Sequence, residues 1–225
     1  MQEFGAVFRG LDWMLLVGML LSVVPILLCL TIHELSHGAM AYAFGDNTAK
    51  QMGRLSLNPI RHIDPVGFLM LLFVRFGWAK PVPVDMRNFN RPRLAMAMTA
   101  LAVPLSNFLF SALILIFQVP LRSMESGGGW GAQMANVLFI TAIISVNLGV
   151  FNLLPIPPLD GSKIAFSLLP KSIYYTVLRY ERYGIIVLFA IMWFGFLRGP
   201  LWSVMDGMYD FIERLTLPIS LGLFA

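Results

Sequence analysis

WMLLVGMLLSVVPILLCLTIHELSHG, residues 13–38, decides how the rest of the chain is read. Trp13 to Ile32 is a run of 20 residues without a charge, and about 20 apolar residues are what a helix needs to cross a bilayer. The run passes straight into His33-Glu34-Leu35-Ser36-His37, an H-E-x-x-H pattern. On a helix, residues four apart lie on one face, so the imidazoles of His33 and His37 can grip one metal ion. Glu34 projects beside that face, where a carboxylate can take a proton from a water that the metal activates. The chain holds three histidines in all, and two of them are these. An ionisable group at membrane depth costs about 2.5–3.5 kcal/mol even on the mild insertion scale, so such groups are functional by default. The competing reading, two histidines capping a membrane helix at the headgroups, is the weaker one.

Composition agrees with a membrane setting. Of 225 residues, 58% are hydrophobic and 12% charged, against about 25% charged in soluble domains; the mean hydropathy is +0.76. We expect a single integral membrane domain over residues 1–225, with the lipid bilayer as its surroundings. The net charge of +4 is better explained by membrane orientation than by nucleic acid, since no basic patch with interleaved aromatics stands out. Cys29, the single cysteine, sits in the first apolar run and reads as a small buried hydrophobe. The first run resembles a signal peptide superficially; cleavage after it would strip the motif of its anchor, so it is expected to be retained.

The fold class expected is an all-α polytopic membrane protein with about four full transmembrane helices. These are Asp12 to Gly45, Leu94 to Phe117, Met134 to Leu159, and a last segment from Tyr183 to Leu197 that continues past Arg198, its end left open by Gly199-Pro200. Val66 to Val74 is too short to span and is expected to be re-entrant. In Ala79-Lys80-Pro81-Val82-Pro83-Val84 the alternating prolines exclude a helix, and a short β segment is expected. Ser162 to Arg182 is expected to include an interfacial helix, and Asp206 to Arg214 to be a solvated tail. With the segments alternating from an outer N-terminus, only Arg9, Arg122, Arg198 and Arg214 of the 16 Lys and Arg fall outside. The positive-inside rule then places the histidine motif and Asp160 at the cytoplasmic face of a cell membrane.

A catalytic zinc takes three protein ligands and keeps one position open. Two candidates can supply the third. Asp160 closes an apolar run after the proline-rich break at Pro155, Pro157 and Pro158, and it could instead be a helix N-cap. His62 is the rival, although a loop histidine bonded to a carbonyl is the plainer role for it.

Together these stretches resemble the site-2 protease family of intramembrane zinc metalloproteases. The resemblance rests on His33-Glu34-x-x-His37, on Asn58-Pro59 with His62-Ile63-Asp64-Pro65-x-Gly67, on Gly77-Trp78-Ala79-Lys80-Pro81-Val82-Pro83-Val84, and on Asn152-x-x-Pro155-x-x-Pro158-Leu159-Asp160-Gly161. A Gly-Pro-x-x-Asn block of the family reads Val103-Pro104-Leu105-Ser106-Asn107 here, so its glycine is lost. The resemblance implies Zn2+ held by His33, His37 and Asp160, with Glu34 acting on the water that attacks a peptide carbonyl. It implies a membrane-protein substrate, a single-pass helix being the simplest. Asn152 is the candidate neutral donor to the oxyanion, with a helix-end hydrogen bond as its alternative. Two other readings compete: a prenyl-protein-processing type of membrane metalloprotease, which should bring a later Glu ligand, and a catalytically inactive metal-binding chaperone.

One further expectation concerns substrate binding. Pro81 and Pro83 place both missing donors on one edge of an extended segment. The other edge, bearing Lys80, Val82 and Val84, is expected to keep its N–H groups and receive an unwound substrate beside the zinc.

Overall fold

A computed structural model describes residues 13–74 and 79–224. Helix α1 (Trp13–Ala43) is without charge up to Ile32, as a membrane helix requires, and carries Pro25 within it. A short α2 (Thr48–Gln51) and a 3-10 turn (Pro59–His62) follow. Helix α3 (Pro65–Val74) is about 15 Å long, half of what a bilayer crossing needs. Asp64 starts it, its carboxylate accepting from Gly67 N–H at 2.8 Å. Helix α4 (Pro92–Leu115) opens on a proline, whose missing N–H costs nothing in a first turn. Then come α5 (Gln118–Gly127), α6 (Gly129–Asn152), α7 (Asp160–Ser167), α8 (Lys171–Trp193) and α9 (Arg198–Phe224). Between α5 and α6 the chain reverses at Gly128, whose φ of 72° a side chain would resist.

Among the described residues three helices are long and apolar enough to cross a membrane: Val23–Ala43 of α1, α4 and α6. They pack on one another, so this is a multi-pass membrane protein whose core is a three-helix cluster. Lipid tails are as apolar as leucine, so such helices associate through small residues and polar contacts. That is what their faces carry. On α4, Thr99, Val103, Asn107, Ser111 and Leu115 recur every fourth residue and are all buried. Buried on α6 are Thr141, Ala142, Ser145, Val146 and Gly149. Ser145 Oγ donates to Asn107 O at 2.7 Å, and the buried Cys29 thiol lies 3.4 Å from Thr141 O. A Cβ on Gly149 would stand 2.6 Å from the Phe108 ring, so the two helices touch there backbone to side chain.

The last third of the chain departs in part from the sequence expectation. The last expected crossing falls in α8, 23 residues or about 35 Å long, and Tyr183–Trp193 is an apolar stretch of it. The contacts of α8 as far as Gly184 lie at the end of the bundle where α4 begins and α6 ends. Tyr174 lies under the Arg93 guanidinium, 5.2 Å from ring centroid to carbon, and Gly184 presses on Pro157 so closely that a Cβ would sit 2.5 Å from its carbonyl oxygen. The helix that does run along the bundle is α9. Its Leu201, Met205 and Ile212 join the core with Ile114, Ala142 and Val146. Its far half bonds to the start of α5, through Gln118 Nε2 to Thr216 Oγ1 at 3.3 Å and Val119 N–H to Ser220 Oγ at 3.1 Å. Glu213 pairs with Arg122 at 2.6 Å. The stretch expected to be a solvated tail is therefore part of a packed helix, with Asp206, Asp210 and Arg214 on its exposed face.

The expected β segment is also corrected. Among the described residues there is no strand, only an isolated antiparallel bridge between Ile63 and Ala79. The Phe76-Gly77-Trp78 part of that block lies outside the described residues. Ala79 to Val84 is extended, as its prolines require, but it lies against the protein on one side instead of pairing in a sheet.

Candidate metal centre and substrate cleft

Helix α1 sets His33 and His37 one turn apart, their ring centroids 5.2 Å from each other. Asp160 comes from 123 positions further along the chain, as the first residue of α7. Its Oδ2 lies 3.1 Å from His37 Nε2 and 3.8 Å from His33 Nε2. One donor atom from each of the three falls within 4.8 Å of the others, the one such group among the described residues. All three side chains are largely buried, and His33 Nδ1 has no protein partner. Two imidazole nitrogens and a carboxylate oxygen, converging in a dry place with a fourth direction left over, fit the donor set of a catalytic zinc.

The loop that carries Asp160 is held tightly. A Cβ on Gly161 would lie inside the contact distance of the Leu153 carbonyl and 2.5 Å from Leu154 O. At the other end of α7 the Arg93 guanidinium donates to the carbonyls of Ser167 and Leu169, the cation that a helix C-terminus favours. Burial alone would push the Asp160 carboxyl up. The hydrogen bond to His37 and the charges of His37 and Lys163 overcome that and hold it well below the ordinary carboxylate range. Lys163 Nζ sits 3.1 Å from Asp160 Oδ1, on the same face of α7 one turn along.

Glu34 is 8% exposed. Its Oε2 accepts the backbone N–H of Val82 at 2.7 Å. That places the Pro81–Val84 segment beside the carboxylate, and Gly38 makes room for it: a Cβ there would stand 3.2 Å from Val82 Cγ1. Glu34, His37, Pro81, Val82, Val84 and Lys163 line a cleft of about 240 Å³. The segment is pinned from its far side by Asp46, fully buried at the end of α1. Asp46 accepts from Asp85 N–H at 2.7 Å, from Asn88 Nδ2 at 2.7 Å and from Thr48 N–H at 3.0 Å. Burial works against its charge, but these bonds together with that of the Thr48 hydroxyl outweigh it and lower its pKa.

The structure thus brings His33, Glu34, His37 and Asp160 together and leaves His62 out. His62 is buried in its own loop, Nε2 at 2.8 Å from Ser56 O. Asn152 is 7% exposed and spends an Nδ2 proton on Leu148 O at 2.8 Å, within the last turn of α6. The expected donor edge is corrected. Lys80 N–H is taken by His62 O at 2.8 Å and Val82 N–H by Glu34, so two of the three donors face the protein. Sequence reasoning passed over Asp46, Arg93 and Lys163. For Lys163 a signal existed, its position three residues after Asp160; for the other two the partners are distant in sequence.

Comparison with known proteins gives a consistent answer. The model of peptidase family M50 matches residues 120–195. The Bacillus subtilis protein YwhC, provisionally named a zinc metalloprotease, is 37% identical over 195 residues, covering 86% of this chain and 89% of that one. Rip2 of Mycobacterium tuberculosis, provisionally named likewise, is 31% identical over 158 residues, 68% of this chain and 56% of its own length. Cj1068 of Campylobacter jejuni, again provisionally a zinc metalloprotease, is 69% identical over 32 residues. No solved structure matches significantly.

Proposed function

This chain belongs to peptidase family M50, the site-2 protease family, and from that premise we propose that it cuts a peptide bond within or beside a transmembrane segment of a membrane-protein substrate. It is a zinc metalloendopeptidase. The observation that carries the finer reading is the convergence of His33, His37 and Asp160 next to Glu34, on a helix whose Val23–Ala43 portion is apolar enough to lie in a bilayer. His33, His37 and Asp160 would hold the zinc. When bound, zinc supplies Lewis acidity, making a water more acidic and a peptide carbonyl more electrophilic.

The rest is done by the chain's own groups. Glu34 is the general base: it takes the proton of the attacking water and returns it to the leaving amine. The Val82 amide fixes which Glu34 oxygen is committed to the scaffold and so which is free to face the cleft. The wall from Pro81 to Val84 shapes the substrate path, with Val84 the remaining position of the expected edge at which a substrate backbone can pair. Asn152 keeps one N–H beyond its bond to Leu148 O and serves as a neutral donor toward the oxyanion. The site faces the cytoplasm of a cell membrane, a reading supported by the basic residues at that end of the bundle, Lys50, Arg54, Arg87, Arg91 and Arg93 among them.

The test is Glu34→Gln, which keeps an oxygen for the Val82 amide and removes the base. Zinc content should stay at about one per chain, cleavage should fall by roughly 100- to 10,000-fold, and single-pass proteins should accumulate uncut in the membrane proteome. Unchanged cleavage would sink the mechanism.

A further inference from the structure

The two oxygens of Asp160 do not see the same surroundings. Oδ2 faces the histidines, 3.1 Å from His37 Nε2 and 3.8 Å from His33 Nε2. Oδ1 faces the ammonium of Lys163 at 3.1 Å. The carboxylate side chain is 5% exposed and that of Lys163 23%, so water has little access to Oδ1 and the lysine supplies what water would have given. Lys163 stands one turn along the same helix, in the order acid before base that favours such pairs. It also lines the cleft opposite Glu34.

A carboxylate ligand can bind a metal through one oxygen or through both. A tilt of the Asp160 carboxylate toward the metal would bring Oδ1 to it beside Oδ2. The position that a hydrolytic zinc must keep open for water would then be contested by a second protein oxygen. We propose that Lys163 is a positioning residue of the metal centre: its ammonium holds Oδ1 away, so that Asp160 presents Oδ2 alone and the fourth position stays free. The inference rests on Asp160 being a zinc ligand. Hydrogen-bonded partners of ligating carboxylates have effects of about 10- to 100-fold when removed, which sets the scale of the test.

The experiment uses the full chain in detergent: wild type, Lys163→Met, Lys163→Arg and Asp160→Ala, each loaded with zinc and, separately, with cobalt(II). Activity is read on fluorescein-labelled casein. Lys163→Met should keep its metal, lose about 10- to 100-fold in kcat with KM unchanged, and show a weaker visible cobalt band as a second carboxylate oxygen joins the metal. Lys163→Arg, which restores a donor to Oδ1, should recover both readouts. A wild-type kcat and cobalt spectrum in Lys163→Met overturns the proposal. So does a loss confined to KM with the spectrum unchanged, which would move Lys163 to substrate binding, and so does loss of the metal from a folded Lys163→Met, which would leave it a structural role only. If the Met variant does not fold, Lys163→Leu, which also lacks a donor, is judged by the same outcomes. The ligand assignment fails separately: an Asp160→Ala enzyme with the wild-type cobalt spectrum removes it, whatever Lys163 does.

Discussion

The backbone N–H of Val82 and the carboxylate of Glu34, 48 residues apart in the chain, are joined by a 2.7 Å hydrogen bond in a buried setting. The residue that would act as base is therefore held by the segment that forms the wall of the cleft. Wall and base move as one piece. A hydrogen bond to a charged group contributes about 1.5–3 kcal/mol, enough to fix the rotamer of a side chain that otherwise has three free torsions.

Val82→Pro deletes that donor while keeping an extended backbone, which its neighbours Pro81 and Pro83 already require. Losing about 1.5–3 kcal/mol of orientation should lower kcat by roughly 10- to 150-fold, with bound zinc unchanged. Val82→Ala keeps the amide and should retain most activity. Equal losses in the two variants would show that the side chain, not the amide, matters.

His33→Ala and His37→Ala should each abolish stoichiometric zinc binding, and Asp160→Ala should weaken it, because a carboxylate leaving a three-donor set still leaves two imidazoles. His62→Ala should leave metal content alone, since its ring is bonded to Ser56 O and stands apart from the donor group. Metal analysis of purified protein after dialysis distinguishes the four. Zinc lost in His62→Ala and kept in Asp160→Ala would reverse the assignment.

Asp46 predicts an acid limit for the cleft. Its folded-state pKa is lowered, so the stability it contributes is complete above the unfolded value of about 3.9 and is lost as pH falls through the folded one. Asp85, held at about 2 by the Arg87 guanidinium, has the same sign, so the measurement must be a difference. Thermal unfolding of wild type and Asp46→Asn should converge as pH drops below about 4, with the variant less stable above it. Parallel curves throughout would mean that Asp46 is not what anchors Asp85 and Asn88.

Membrane topology can be read at Gly195, the turn between α8 and α9. Tyr174 and Gly184 of α8 touch Arg93 and Pro157 at the end of the bundle that holds the metal centre, and after the turn Leu197 and Leu201 join the cluster that includes Val150 and Leu154. A reporter inserted after Gly195 should therefore share the side of one after Arg87, and both should be opposite to one at Gly127–Gly129. A Gly195 reporter on the side of Gly127–Gly129 would restore a crossing by the Tyr183–Leu197 segment.

The histidine motif was legible because all of its chemistry sits within five residues of one helix. Asp160 could be named because a proline-rich break before a lone acid is unusual at the end of an apolar run. What could not be read was anything decided by partners distant in sequence. The prolines of Ala79 to Val84 correctly excluded a helix, but nothing in that stretch says that Glu34 takes the Val82 amide. The helix after the last expected crossing was hidden for a different reason. In α9 the buried stripe of Leu201, Met205, Ile212, Thr216 and Ser220 is interleaved with Asp206, Asp210 and Arg214, so the window average hides a face that packs.

Gly161 gives the centre its mechanical tolerance. The two histidines ride on α1 and the carboxylate on α7, and what sets the distance between them is how closely the start of α7 can lie against the Leu153 and Leu154 carbonyls. That clearance is the width of one hydrogen atom. A methyl group in its place would act as a shim, prising the carboxylate off a contact that measures 3.1 Å to His37. The gauge of the site is thus kept by an atom too small to take part in its chemistry.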